Sequence, residues 1–120
     1  MTWIEDACGQ VLMVQQTAGK QLWTLPGGKT KAGETLEAAL RRELLEEVGE
    51  RIRSARPVAI FDRPEKRNLT VLFHVRLVSQ RLRVKNEAEI AGIAFKANLP
   101  KNASPSASYF WKQRDRLASL

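Results

Sequence analysis

The 120-residue sequence has almost none of the residue types that hold transition metals or form covalent staples: one cysteine, Cys8, and one histidine, His74. A disulfide within the chain is excluded, as is a Cys/His zinc site, which needs about four such ligands. No apolar run approaches the roughly 18 residues of a membrane span. The stretch Met1-Thr2-Trp3-Ile4-Glu5-Asp6 lacks the basic and then apolar pattern of a secretory signal. A cytoplasmic, reducing location and no membrane partner are the corresponding expectations. Repeats, low-complexity tracts and linkers are also missing, so a single domain over 1–120 is expected.

Charge is plentiful but unevenly placed. The net charge is +7, from 20 Lys and Arg against 13 Asp and Glu. The segment from Glu34 to Glu50 has six glutamates and two arginines, so the remainder carries a net +11. A basic chain with one acidic patch suits a polyanion held beside a cation. A solvated acidic helix on a protein that is basic for solubility is the plainer alternative.

The apolar pattern places the elements. Val11-Leu12-Met13-Val14 reads as a short buried strand, and Trp23-Thr24-Leu25 as an extended run into the turn Pro26-Gly27-Gly28. Thr35 to Val48 lacks Gly and Pro and is rich in Ala, Leu, Glu and Arg, which predicts a helix ended by Gly49. Strands are expected at Pro57 to Phe61, at Leu69 to Val78 with Leu69, Val71, Phe73, Val75 and Leu77 on one face, and at Ile90 to Phe95. Ser104-Pro105 has the form of an N-cap and first helical position, opening a last helix with Phe110, Trp111 and Leu117. Strands with helices between and after them predict an α/β or α+β sandwich.

The acidic helix contradicts its plainer explanation. Leu36, Leu40, Leu44 and Val48 form its apolar stripe. A solvated face would set the glutamates opposite. Taking Leu36 as zero, Glu43 and Glu47 instead fall about 20° to either side and Glu46 about 80° away. Glu43 and Glu47 are like charges at i, i+4, an arrangement that lowers helix stability unless a cation neutralises it. Carboxylate oxygens without Cys or His favour hard ions, Mg²⁺ or Mn²⁺. Such an ion beside basic surface points to phosphate chemistry. Gly28-Lys29-Thr30 looks like the end of a P-loop, but that motif needs glycine five residues earlier, where Trp23 stands.

Gly28, five residues, Glu34, seven residues and then Arg42-Glu43-Leu44-Leu45-Glu46-Glu47-Val48-Gly49 resembles the Nudix box of MutT-like hydrolases, here spanning 28–50. The lead-in Trp23-Thr24-Leu25-Pro26-Gly27-Gly28 is also similar to that family's. The one departure is Glu50, at a position usually aliphatic, with Ile52 available to supply the missing contact. The resemblance implies the family's α/β/α sandwich with a mixed β-sheet. It implies Mg²⁺- or Mn²⁺-dependent hydrolysis of a nucleoside diphosphate linked to another group. By position it makes Glu43, Glu46 and Glu47 metal ligands, joined by a backbone carbonyl from Gly27 or Gly28. It makes Arg42 the residue that orients the glutamates, and Glu34 a holder of the loop or helix start. Glu43 and Glu47 with Arg42 are the implied catalytic residues. Relatives differ in the general base, so Glu43 and the loop glutamates Glu87 and Glu89 all stay open.

The other chemistry-bearing residues have ordinary readings beside functional ones. His74 suits packing better than a catalytic triad, whose partners cannot be placed. Tyr109 and Trp111 suit a core better than a base-stacking platform. Arg63 and Lys66-Arg67, in an expected loop after Phe61, suit solvent as well as phosphate. Pro64, near a position linked to ADP-ribose-type substrates, is one residue off. The substrate-binding residues and the choice of nucleotide are not readable, and an RNA 5′ end as substrate has no sequence feature behind it. The short lead before Val11 leaves the first strand's sheet edge trimmed or completed by a partner chain, which makes a homodimer an expectation. Two other functions stay open: a Nudix-like module that senses a nucleotide without turning it over, and a basic RNA-binding protein. The latter ranks last, without the aromatic and glycine motifs of common RNA modules.

Overall fold

The computed structural model describes residues 1–118. The elements run β1 (Thr2–Trp3), β2 (Val11–Gln16), β3 (Trp23–Thr24), α1 (Leu36–Val48), β4 (Ile52–Arg63), a 3₁₀ turn (Pro64–Lys66), β5 (Asn68–Leu77), β6 (Ile90–Lys96), α2 (Pro105–Trp111) and α3 (Arg114–Ala118). The strands make two three-stranded sheets, ordered β1-β5-β4 and β3-β2-β6. β1 runs parallel to β5 while β4 pairs β5, and β2 pairs both β3 and β6, in antiparallel fashion, so the first sheet is mixed.

The run Val11 to Val14 is apolar at every position because β2 is covered on both faces. Val11 and Met13 join one core with Trp3, Leu25, Leu72, Phe110, Trp111 and Leu117, under the C-terminal helices. Leu12 and Val14 join a second with Leu40, Leu44, Val48, Ile52, Val75 and Ile90, under α1. β5 alternates in the same way, with Leu72 in the first core and Val75 in the second. Helices on both faces of the strands give the α/β/α sandwich.

Several boundaries differ from the pattern-based expectation. The strand expected at Pro57 to Phe61 runs from Ile52 to Arg63. Its first half is masked in the sequence by Arg53, Ser54 and Arg56, which are exposed along a sheet edge. An edge strand also tolerates Pro57, and the ladder shifts register between Pro57 and Ala59. Arg63 therefore ends a strand instead of lying in a loop; its guanidinium sits 4.9 Å from the centre of the Phe61 ring. The hairpin tip is the Pro64–Lys66 turn, closed by Arg67 with φ +48°. Leu69, on the expected apolar face of β5, is 59% exposed at the strand's start. Leu36 is 54% exposed, so the buried stripe of α1 begins at Leu40. The last helix is two, α2 and α3. Ser104 caps α2 as expected, accepting the Ala107 N–H, with Pro105 in the first turn.

Candidate active site

Local sequence signals place the acidic helix. Thr35 caps α1 by accepting the Ala38 N–H at 3.1 Å. Gly49 closes it in the left-handed region, φ +74°, its N–H bonded to Leu44 O and Leu45 O. Burial of Leu40, Leu44 and Val48 then fixes the helix rotation. That rotation carries Glu47 into the interior: it is 7% exposed. Its Oε1 accepts the Gly27 N–H at 2.7 Å. Burial pushes its carboxyl up to about 8, against the Gly27 bond, and the charges of Glu43 and Glu89 add to the rise.

The glycine turn is shaped by two close approaches. Gly27 has φ +125°, and a Cβ there would stand 2.7 Å from Met1 Cα. At Gly28 a Cβ would meet the Glu43 carboxyl carbon at 2.6 Å, so Glu43 fills the room the absent side chain leaves. The loop is tied down by the Thr2 N–H and hydroxyl, both donated to Pro26 O.

Arg42 is the hub. Its Nε and Nη2 grip Glu34 at 2.7 and 2.9 Å, a two-point clamp. Nη1 donates to Glu43 at 2.8 Å and to Glu46 at 3.3 Å, and Nη2 also reaches Lys29 O at 3.2 Å. All five guanidinium N–H donors are engaged. Hydrogen bonds from Arg42 and from the Lys31 N–H hold the Glu34 carboxyl down at about 2, while Glu34 and Glu43 in turn raise the arginine. Arg42 thus links Glu34, Glu43 and Glu46 through one guanidinium. Glu34 holds the 29–34 loop to α1, while Thr35 caps the helix.

A divalent ion is not the sole means of relieving the crowded carboxylates: Arg42 is itself a cation serving Glu43 and Glu46, and burial favours the neutral form of Glu47. Among the described residues, no three acidic, His or Cys side chains converge as a ready-made cage. The donors are gathered at one place without being closed around a point.

Beside Gly28 opens a groove of about 420 Å³. Lys29 and Arg67 are its cationic side chains, Thr30, Asn68 and Thr70 its polar side chains, and Leu36 and Phe73 part of its apolar wall, with Met1 beside them. Sequence reasoning missed this groove because its walls come from positions 28–30, 36–40 and 67–73, which share no spacing. The exposure of Leu36 and Leu69 beside it is the one local trace. Both loop acids are exposed, but Glu89 alone of the two accepts from Asn86 Nδ2, at 3.1 Å, and its charge reaches Glu47. His74 pairs in register with Arg56 and Trp3, on the opposite face of β5 from Val75, so it is not brought to the acidic helix. Trp111 packs on Trp3 at 5.5 Å and Tyr109 stacks on Phe61 at 4.2 Å, both core contacts.

The three-layer sandwich thus brings its acidic helix and its glycine turn together at one site. The NUDIX domain family matches residues 1–112, and the chain belongs to that family. Part of it is 47% identical over 49 residues to an 8-oxo-dGTP diphosphatase of Haemophilus influenzae, covering 38% of this chain and 36% of that one. Another match is 44% identical over 46 residues to an RNA pyrophosphohydrolase of Teredinibacter turnerae, covering 38% and 27%. The matched part is about a third of those relatives' length. The fold resembles a crystal structure of a MutT Nudix hydrolase from Burkholderia pseudomallei, with TM-score 0.79 and 21% identity, covering 94% of this chain and 98% of that one. No helix among the described residues is long and apolar enough to cross a membrane.

Proposed function

We propose that the chain is a pyrophosphohydrolase that cleaves a diphosphate linkage in a nucleotide, with Mg²⁺ or Mn²⁺. The observation that carries this is the buried Glu47 carboxyl, tied to the glycine turn next to Glu43 and beside a groove with two cationic side chains. The donors fit a hard ion: they are all oxygen, Gly28 leaves room for Glu43, and Glu47 is a buried acid whose charge a cation would favour. Glu43, Glu46 and Glu47, with the Gly27 carbonyl, would hold it. When bound, the ion supplies Lewis-acid polarisation of a phosphoryl oxygen.

The chain's own residues do the rest. Arg42 orients Glu43 and Glu46, and its clamp on Glu34 keeps the loop in place. Glu43 or Glu89 takes the proton from the attacking water on a carboxylate oxygen. Lys29 and Arg67 draw the phosphates into the groove. The names of the relatives put 8-oxo-dGTP and 5′-triphosphate RNA first in a phosphate-release screen, followed by ordinary nucleoside triphosphates, dinucleoside polyphosphates, ADP-ribose and nucleotide sugars. Release that needs Mg²⁺ or Mn²⁺ and is lost in Glu47→Gln is the expected result. Metal-independent binding without release would replace the enzyme by a nucleotide sensor.

A further inference from the structure

Glu50 stands where the Nudix box usually has an aliphatic residue, and the structure gives it a polar task. Its Oε2 accepts the Ser79 hydroxyl and its Oε1 the Arg51 N–H at 2.7 Å. The apolar role passes to Ile52, buried in the core under α1. Ser79 opens the segment 79–89 between β5 and β6. That segment touches the end of α1 again further on. The Arg83 N–H donates to Val48 O at 3.0 Å, and a Cβ on Gly49 would lie 3.1 Å from Arg83 O. Leu82 and Val84 pack on the same core.

The far end of the segment reaches the acidic site. Asn86 shares a cavity of about 380 Å³ with Leu45 and Glu46. Its Nδ2 donates to Glu89 Oε2 at 3.1 Å, and its carbonyl accepts the N–H groups of Glu89 and Ile90. From β2's side, Thr17 donates its N–H to Glu89 O at 2.9 Å and its hydroxyl to Ala88 O at 2.6 Å. The segment is therefore a strap, fixed at Ser79 and Arg83 and ending in an oriented glutamate.

We propose that Glu50 is a positioning residue that latches the 79–89 strap onto the end of α1 through Ser79, and thereby sets Glu89 beside the acidic face of that helix. Its catalytic consequence rests on the hydrolase reading; its structural consequence does not. A fixed strap holds Glu89 at a working distance, and a loosened one samples positions in which proton transfer fails.

The test uses Ser79→Ala, Glu50→Ile and Glu50→Gln in the full chain, with amide hydrogen exchange as the readout that needs no substrate. Ser79→Ala and Glu50→Ile should speed exchange over 81–89 by about tenfold, while core strand β2 keeps its protection. Glu50→Gln, which retains an acceptor for Ser79, should restore most of it. With a substrate from the screen, kcat should fall about 3- to 10-fold in the two disrupting variants with KM within about twofold. In a Glu89→Gln background the further loss from Ser79→Ala should vanish, because both act through one group. Unchanged exchange in both disrupting variants overturns the latch. Faster exchange with losses that multiply independently of Glu89→Gln overturns its action through Glu89. If no substrate is turned over, the hydrolase reading fails, and exchange alone still decides the latch.

Discussion

Glu34 and Glu47 belong to one acidic segment, yet their surroundings drive them in opposite directions. Glu34 is clamped by Arg42 and an amide, and its carboxyl is held at about 2. Glu47 lies against the core, where burial outweighs the Gly27 amide and the nearby Met1 amino group and pushes its carboxyl up to about 8. The first is a strut whose charge is satisfied by protein. The second has a charge the protein leaves unsatisfied. Sequence charge alone does not separate them; burial and partners do.

The largest expected effect breaks the second member. Glu47→Gln should reduce turnover by about 10²- to 10³-fold, the scale for losing one preorganised electrostatic group. It should leave the metal-free protein folded, because a neutral amide suits the buried site. Unfolding of that variant in thermal melts would assign Glu47 to structure.

The pH dependence separates the pair by sign. Glu47, raised from 4.5 to about 8 in the fold, contributes stability that is complete below about 4.5 and lost as pH rises through about 8. Metal-free wild type should therefore weaken relative to Glu47→Gln over that window in denaturant melts, and Mg²⁺ should offset the loss. Glu34, lowered from 4.5 to about 2, contributes stability present above 4.5 and lost as pH falls through about 2. Glu34→Gln should be weaker than wild type at pH 6 and converge with it toward pH 2. A gap that persists there would deny the Arg42 clamp its ionic character.

The adjacent glycines sharpen the contrast further. Gly27→Ala sets a Cβ on Met1 backbone at φ +125° and should cost about 1–3 kcal/mol in stability. Gly28→Ala meets the movable end of Glu43 as its nearest neighbour. It should retain most stability and lose metal affinity and turnover, read by calorimetry and phosphate release. The two ends of the α1 stripe should differ, and Leu36 gives the smallest effect of all. Leu44→Ala, fully buried, should cost about 2–5 kcal/mol. Leu36→Ala should stay within about 0.5 kcal/mol, with any change appearing in KM, because Leu36 lines the groove.

Much was legible where a local rule governs. Thr35 and Gly49 bound α1 because capping depends on a few neighbouring residues, and Ser104-Pro105 started α2 for the same reason. The placement of Glu43 and Glu47 near the apolar stripe followed from helical periodicity alone. The first half of β4 was hidden because an edge strand needs no apolar alternation on its exposed side. The break between α2 and α3 at Lys112-Gln113 carries no Gly or Pro to announce it. Glu50 was visible as a departure, but its partner Ser79 lies 29 positions away and had no sign of its own.

By itself, the sequence determined the acidic helix, its caps, the glycine turn and the apolar residues that fix which side is buried. These follow from backbone sterics and side-chain period, which act over a few residues. Only tertiary structure decided that Arg42 spends all five donors on the acid cluster and its loop, that Glu47 is desolvated, and that distant strand and loop residues form a groove at Gly28. Those outcomes depend on distances between segments far apart in the chain, and desolvation exists only once packing has excluded water.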